Sequence, residues 1–446
     1  MLLSVNFDSV FPPYHCVRIL GSIIDLENLP GVHFDQKELT HADIVKSMAA
    51  LIAIGKPYYD AIELIRPYPQ FFIDTMDVPF CPSSATLRQR LDLIGQSAEA
   101  PIKDAALELI KTKAPALTPI ETSVGNFLPL DIDVSPFDNS KTQKEGTSRT
   151  YKGCDGYAPI FAYLGTEGYL VNLEQREGSQ HCQKNTPEFI IQTIINCREL
   201  TDQPILMRLD SGNDSKDNFP TEDGIDFIIK RNLRREPLQD WLELAQQQGD
   251  EHLCRDGKRN WTGITEVGLN GKKLPYPIVF DVTERTSKKG QQLAFAEIEV
   301  DTYWCSLEDM PADEVIFWYH DHGTSEQFHS ELKTDLDLER LPSGKFATNS
   351  LILTIGMLTY NCLKVIGQHS LKAVEDHPEL APVVIPRQKP VKRRRIRTVM
   401  QDFICTAGRI IDTARSRFIS LGRCNPFSLL WQHLHAQLAL GRNPKK

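Results

Sequence analysis

Residues 127–212 constrain the fold of this chain more than any other stretch. "FLPLDIDVS" at 127–135 alternates apolar and polar residues as a strand does. "GYAPIFAYL" (156–164) and "EGYLVNLEQ" (167–175) read as two more strands, joined by a turn around Gly165 and Gly168. "TPEFIIQTIINCREL" at 186–200 has helical spacing, and "PILMRLDSG" at 204–212 is an apolar strand that ends in an acid. The order strand, strand, strand, helix, strand predicts an α/β fold. Asp133 falls in the first of these strands and Asp210 at the end of the fourth, with Asp131 and Asp138 competing with Asp133 for any chemical role.

The flanks differ in character. Residues 1 to about 118 read as mostly helical. After Thr40 the segment "THADIVKSMAALIAIG" pairs Thr40 with Asp43 at its start and stops at Gly55. "PSSATLRQRLDLIG" starts after Pro82 with Ser84 as its cap, puts Leu87, Leu91 and Ile94 on one face and ends at Gly95. Arg88 and Arg90 project elsewhere, which suits a DNA-reading helix and equally an amphipathic packing helix with solvated arginines. Residues 113–126 form a linker. From about 220 to 305 short strand-like runs alternate with polar turns, and helical character returns from about 313. A Pro-containing connector at 376–390 leads into a basic, helical-looking tail.

With 446 residues, 41% hydrophobic and 24% charged, the chain has ample material for a large core, which excludes disorder over most of its length. The best apolar run, Leu351 to Leu363, is shorter than a span of about 20 residues and contains Asn361, so no membrane partner is expected. No Lys or Arg precedes Arg18 and no apolar leader follows, so a cytoplasmic location is expected. The ten cysteines are scattered without a C-x-x-C pair, which suits reduced thiols and neither a zinc ribbon nor a disulfide framework. Charge is uneven. Residues 387–446 hold 14 lysines and arginines against Asp402 and Asp412, a balance of +12, which leaves −21 on the rest of a chain whose total is −9. An acidic body with a basic tail fits a polyanion contacted through limited surfaces.

A third acid, Glu326, lies in "WYHDHGTSEQFHSELKTDL", where Thr324 and Gln327 fit a capping box. At about 100° per residue, Glu326 and Lys333 share one helical face, while Phe328, Leu332 and Leu336 line another. Asp133, Asp210 and Glu326, if folding joins them, would form a hard oxygen site for Mg²⁺ or Mn²⁺. Two such ions about 3.5–4 Å apart support phosphodiester cleavage. A surface Glu and Lys seven apart also arise often by chance. The weaker signals fail on their own terms. "LMRLDSG" has no second Asp-Ser/Thr-Gly to share a proton with, "DSGNDSKDN" lacks the order of a calcium loop, and His320/His322 and His433/His435 have no further ligand at metal spacing. "KPVKRRRIR" (389–397), with Arg393, Arg394 and Arg395, suits phosphate contacts or a solvated tail, and an acidic surface of a second subunit is an alternative partner. Trp261 and Trp304 read as core.

These residues resemble the DDE transposases of bacterial insertion sequences, in the branch with a strand-rich insertion before the final Glu. That branch's Tyr-x2-Arg-x3-Glu-x6-Lys spacing is reproduced by Tyr319, His322, Glu326 and Lys333, and "LDIDVS" and "RLDSGND" look like its first two acid contexts. The resemblance covers residues 125–365 and implies an RNase H-like catalytic core with a β-rich insertion at about 220–305. It places a helical end-recognition domain at 1–118 before the core and a basic helical region at 385–446 after it. It further implies that Asp133, Asp210 and Glu326 ligate two Mg²⁺ (or Mn²⁺) ions, and that Tyr319, His322 and Lys333 hold phosphates of double-stranded DNA, at element ends and at the target. Work at two ends implies a dimer in the DNA-bound complex. One position departs: His322 stands where the family has Arg, which removes the permanent charge and bidentate fork of a guanidinium. Within the same fold, an endonuclease that cuts without joining and an inactive DNA-binding remnant remain the alternatives.

Overall fold

The computed structural model describes residues 39–67, 69, 72–73, 76, 78–288, 291–382, 391–405, 409–412, 417–420 and 425–439. The expectations for residues 1–38, the missing leader among them, and for 383–390 lie outside the described residues.

Among the described residues, three α-helices precede the sheet: α1 (His41–Ala53), α2 (Ser84–Ile94) and α3 (Glu99–Lys113). The capping box of α1 forms as expected, with the Asp43 carboxylate accepting from the Thr40 N–H at 2.8 Å and Thr40 Oγ1 accepting from the Asp43 N–H at 3.1 Å. In α2 the cap is Ser83 rather than Ser84, its hydroxyl accepting from the Thr86 N–H at 3.1 Å, and the stop at Gly95 is as expected.

The centre is a ten-stranded mixed sheet. Its strands in chain order are β1 (Ile120–Thr122), β2 (Gly125–Val134), β3 (Ile160–Leu164), β4 (Tyr169–Glu174), β5 (Ile205–Leu209), β6 (Ile225–Lys230), β7 (Asp250–Arg255), β8 (Lys258–Val267), β9 (Lys273–Lys288) and β10 (Gln291–Cys305). Across the sheet the order is β7-β8-β9-β10-β6-β5-β2-β3-β4, with β1 paired to β2 off this path. β2, β5 and β6 run parallel, and β3 and β4 form an antiparallel hairpin on one side. The helix α4 (Thr186–Leu200) makes the crossover from β4 to β5, which parallel neighbours require. Of the strand-rich stretch expected at about 220–305, only Asp250–Cys305 is the antiparallel run β7 to β10, while its opening strand is β6, parallel to β5. β10 joins β6 through Trp304↔Ile229, and α5 (Leu238–Gln248) packs on the run.

After the sheet come α6 (Ala312–Asp321), α7 (Ser325–Ser330) and the 31-residue α8 (Phe346–Asp376). By length and composition α8 could cross a membrane, yet its apolar window is wholly buried inside the fold. Counting only the uninterrupted run Leu351–Leu363 missed how long this helix is. Polar residues within it are used structurally: Asn361 accepts from the Leu170 N–H at 2.9 Å and donates to the Leu170 carbonyl at 2.8 Å, satisfying backbone on the edge strand β4. Helices α1 and α3 pack against α8, so the N-terminal helices share one continuous core with the sheet.

The tail is not simply helical. It opens with a short helix, α9 (Ile396–Val399), and a π turn (Met400–Ile404), then forms a hairpin of β11 (Arg409–Asp412) and β12 (Arg417–Ser420) before α10 (Ser428–Ala439). "RIID" and "RFIS" are rich in β-branched and aromatic residues, and that preference prevails over the helical spacing read across them.

Candidate functional site

The strand pairing brings two aspartates together. β2 and β5 are parallel neighbours with Ile132 opposite Leu209, so the next residues, Asp133 and Asp210, emerge side by side at the same strand ends. Ligand sites in open α/β sheets form at such carboxyl ends. Asp210 sits just past the strand, at the entry to a tight turn, where its carboxylate accepts from Asn213 Nδ2 at 2.7 Å. A Cβ on Gly212 would stand 3.3 Å from Asp210 Oδ1, so the carboxylate folds closely over that turn.

Asp131 and Asp133 face the same side of β2 but meet different partners. Asp131 is buried and bound by Arg208, its neighbour across the β2–β5 ladder, through Nε at 2.6 Å and Nη2 at 2.9 Å. His322 Nδ1 completes the group, 2.8 Å from Asp131 Oδ1. Arg208 Nη1 also donates to the Trp318 carbonyl at 2.7 Å and to Asp321 at 3.0 Å, tying α6 to the sheet. Asp133 Oδ2 lies 3.2 Å from His329 Nε2, and His329 Nδ1 lies 3.1 Å from the Tyr163 hydroxyl.

The two side-by-side carboxylates are not equivalent. Burial, followed by the nearby Asp133 charge, pushes Asp210 up to about 6. Burial acts on Asp133 too, but the hydrogen bond and charge of His329, with His322 beyond, hold it below its ordinary value. Burial also works against a charged His322, and the Asp131 carboxylate outweighs it, so the ring is held above its ordinary pKa. The charged form of His322 is thereby favoured by its contact with Asp131.

The helix that bears the third acid is continuous rather than newly capped. α6 passes through a 3₁₀ turn at His322–Thr324 into α7, and Thr324 keeps helical angles with no side-chain cap bond. The expected capping box is absent because the preceding turn already supplies acceptors for the Ser325 N–H, His322 O and Gly323 O. A π turn at Glu331–Asp335 follows. Glu326 is exposed, one turn after His322 and one turn before His329. Its flanking histidines touch Asp131 and Asp133, so the helical stripe that carries it faces the end of β2.

Two adjacent, largely buried carboxylates offer oxygen donors that suit a hard divalent cation, and Asp210's raised pKa marks charge that such a cation would offset. Among the described residues, however, no group of three or more His, Cys, Asp or Glu is gathered so as to hold a metal ion. The structure joins Asp133 with Asp210 and leaves Glu326 on the facing stripe without completing a three-carboxylate cluster.

The family model described as "Transposase DDE domain group 1" matches residues 42–443. The chain belongs to this family of DDE transposases. No curated protein matches it. Among solved structures it is similar to a piggyBac transposase synaptic complex with hairpin DNA, determined by cryo-EM, at 10% identity over 89% of this chain and 80% of that one, with a TM-score of 0.42.

The remaining residues of the expected site fall as follows in this transposase. Tyr319 is half-buried, its ring 5.8 Å from His322 and 4.7 Å from Tyr303. Lys333 donates to the Pro136 carbonyl at 2.5 Å and lies over the Phe137 ring, just beyond the end of β2. Arg393, Arg394 and Arg395 are engaged within the chain, with Glu331, Asp402 and Asp335 respectively. Trp261 and Trp304 are buried as read. The sequence reading passed over Arg208 and His329. Arg208 stood two residues before Asp210, in step with Asp131 two before Asp133, and His329 stood one turn past Glu326 on the Lys333 face.

Proposed function

We propose that this transposase cuts DNA at the ends of a bacterial insertion sequence and joins the freed ends to target DNA. Asp133 and Asp210 would hold divalent ions, two Mg²⁺ or Mn²⁺, with Glu326 as the third ligand. The observation that carries this reading is the parallel register that sets Asp133 beside Asp210, with Asp210 pushed up to about 6 by burial and that neighbour. When bound, the ions supply the Lewis acidity that phosphodiester cleavage and strand transfer need. The chain's own groups do the positioning. His329 orients Asp133, while Arg208 and His322 neutralise Asp131 so that it does not compete for the cation. Tyr319 and Lys333 flank this stripe and would hold DNA phosphates beside the scissile bond.

The sheet order β4-β3-β2-β5-β6, with the first two strands antiparallel and the last three parallel, supports an RNase H-like core. On this reading residues 1–118 recognise element ends, 125–365 cut and join, and the protein acts in the cytoplasm as a dimer on paired ends. A catalytically inactive remnant is the second reading, favoured by Glu326 standing outside a three-ligand cluster.

The test incubates purified wild type and Glu326→Ala with Mg²⁺, then Mn²⁺, and DNA carrying the gene's flanking ends. Boundary nicks and joined products, both lost in the variant, are the expected result. Cuts without joining would leave an endonuclease, and no cutting with either ion would leave the remnant.

A further inference from the structure

The helix bearing Glu326 is gripped from its far side by the basic segment at 391–404. Arg393 donates to Glu331 at 2.5 Å and to Gln327 at 2.7 Å, and its guanidinium lies 4.7 Å from the Phe328 ring centroid. Arg395 forks onto Asp335 at 2.7 and 3.0 Å and reaches Ser330 at 3.0 Å. Arg397 adds a side-chain contact to Asp335 at 3.0 Å and a backbone one at 3.2 Å. From the core side Lys364 of α8 meets Glu331 at 2.7 Å. Glu331 and Asp335 are the first and last residues of the π turn, and their side chains are almost wholly buried.

Two physical points follow. A π turn widens the helix and interrupts its regular bonding, so it persists where outside contacts hold it. A buried carboxylate left without its cation costs several kcal/mol, so these pairs lock a geometry more than they add stability. The opposite stripe of the same helix carries His322, Glu326, His329 and Lys333 and faces the end of β2. Arg393 and Arg395, read from the sequence as candidates for phosphate contacts, meet the back of the acid-bearing helix within this chain.

We propose that segment 391–404 is a strap, with Arg393 and Arg395 as positioning residues that set the angle of the helix presenting Glu326 to Asp133 and Asp210. This rests on Glu326 being the third acid. A strap of this kind holds a ligand in place without touching it, as supporting contacts around metal sites do.

The test uses full-length protein with Arg393→Gln, Arg395→Gln and the charge-keeping Arg395→Lys. Amide hydrogen exchange of the metal-free proteins comes first. Exchange over residues 325–335 should rise at least ten-fold in the Gln variants with β2 and β5 unchanged, and stay nearer to wild type in Arg395→Lys. On DNA carrying the element's ends, the Mg²⁺ concentration for half-maximal cutting should rise three- to ten-fold in the Gln variants and less in Arg395→Lys. KM for DNA and the salt slope of binding should not change. Unchanged exchange at 325–335 overturns the strap, whatever the activity. So does an unaltered Mg²⁺ requirement with a salt slope lowered by about one per arginine, which marks phosphate contacts instead. Wild-type cutting that survives Glu326→Ala would sink the catalytic reading of Glu326, and the grip itself would still be read from exchange.

Discussion

Asp131 and Asp133 stand two residues apart on one face of one strand, and their partners give them opposite roles. Asp131 is neutralised by Arg208 and His322, whereas Asp133 stands beside a second carboxylate. Arg208→Met strands the buried Asp131 charge and should lower stability by about 3–5 kcal/mol, measured by denaturant unfolding. Asp210 yields a pH signature in metal-free protein. Its carboxyl binds a proton more readily folded, near pH 6, than unfolded, near pH 4. The folded state therefore holds more protons between those values, and stability declines as pH rises through that window, then stays level above it. Asp210→Asn should remove this decline and raise the unfolding free energy of metal-free protein at pH 7 by an amount on the order of 1–3 kcal/mol, read from denaturant unfolding. A variant less stable than wild type at pH 7 without metal would contradict this account of the aspartate pair.

At the scale of elements, the turn between β3 and β4 fixes where the acid-bearing helix can sit. Gly168 has φ of +73°, and a Cβ there would fall 2.3 to 2.6 Å from the Phe328 ring. Only glycine meets both demands, and Phe328 lies two residues from Glu326 in the same short helix. Gly168→Ala should cost about 1–3 kcal/mol through overpacking and backbone strain, and should slow cutting by shifting α7. Adding Phe328→Leu should recover part of both losses, so the double variant in thermal melts and rate assays should be less harmed than the two single effects added together. Additivity would mean that the turn and the helix are not coupled in this way.

For the whole molecule, the reading of a separate helical N-terminal unit meets a core that runs from Leu39 through the sheet to Leu434. α3 packs on α8 and on β4, and α8 spans the molecule's interior. Unfolding of the described parts should therefore be shared. Leu109→Ala, at a fully buried position of α3, should cost about 2–5 kcal/mol and lower the midpoint seen by far-UV dichroism and by tryptophan fluorescence together. Two separated transitions, with only the first displaced, would show that the N-terminal helices fold apart from the sheet. The charge imbalance is also resolved at this scale. Part of the tail's positive charge meets the acidic body within one chain, at Glu331 and Asp335, while Arg394 pairs with Asp402 inside the tail.

How much was legible in advance follows from the range over which each signal acts. The alternation at 127–135, the helical spacing at 186–200 and the cap at Thr40 are local, so β2, α4 and α1 were readable from their own residues. The Tyr319, His322, Glu326 and Lys333 spacing was readable for the same reason, since one helix face is a property of neighbours along the chain. Which of Asp131 and Asp133 is neutralised by an arginine, and what the arginines at 393–395 touch, depended on pairings between residues far apart in sequence. A carboxylate's role is set by the charges that burial brings within a few ångströms, and burial is decided by the packed sheet and helices. By itself the sequence determined the elements and the acids they carry; only the tertiary structure decided which acids meet, because charge pairing in a low-dielectric interior depends on spatial distance and not on position in the chain.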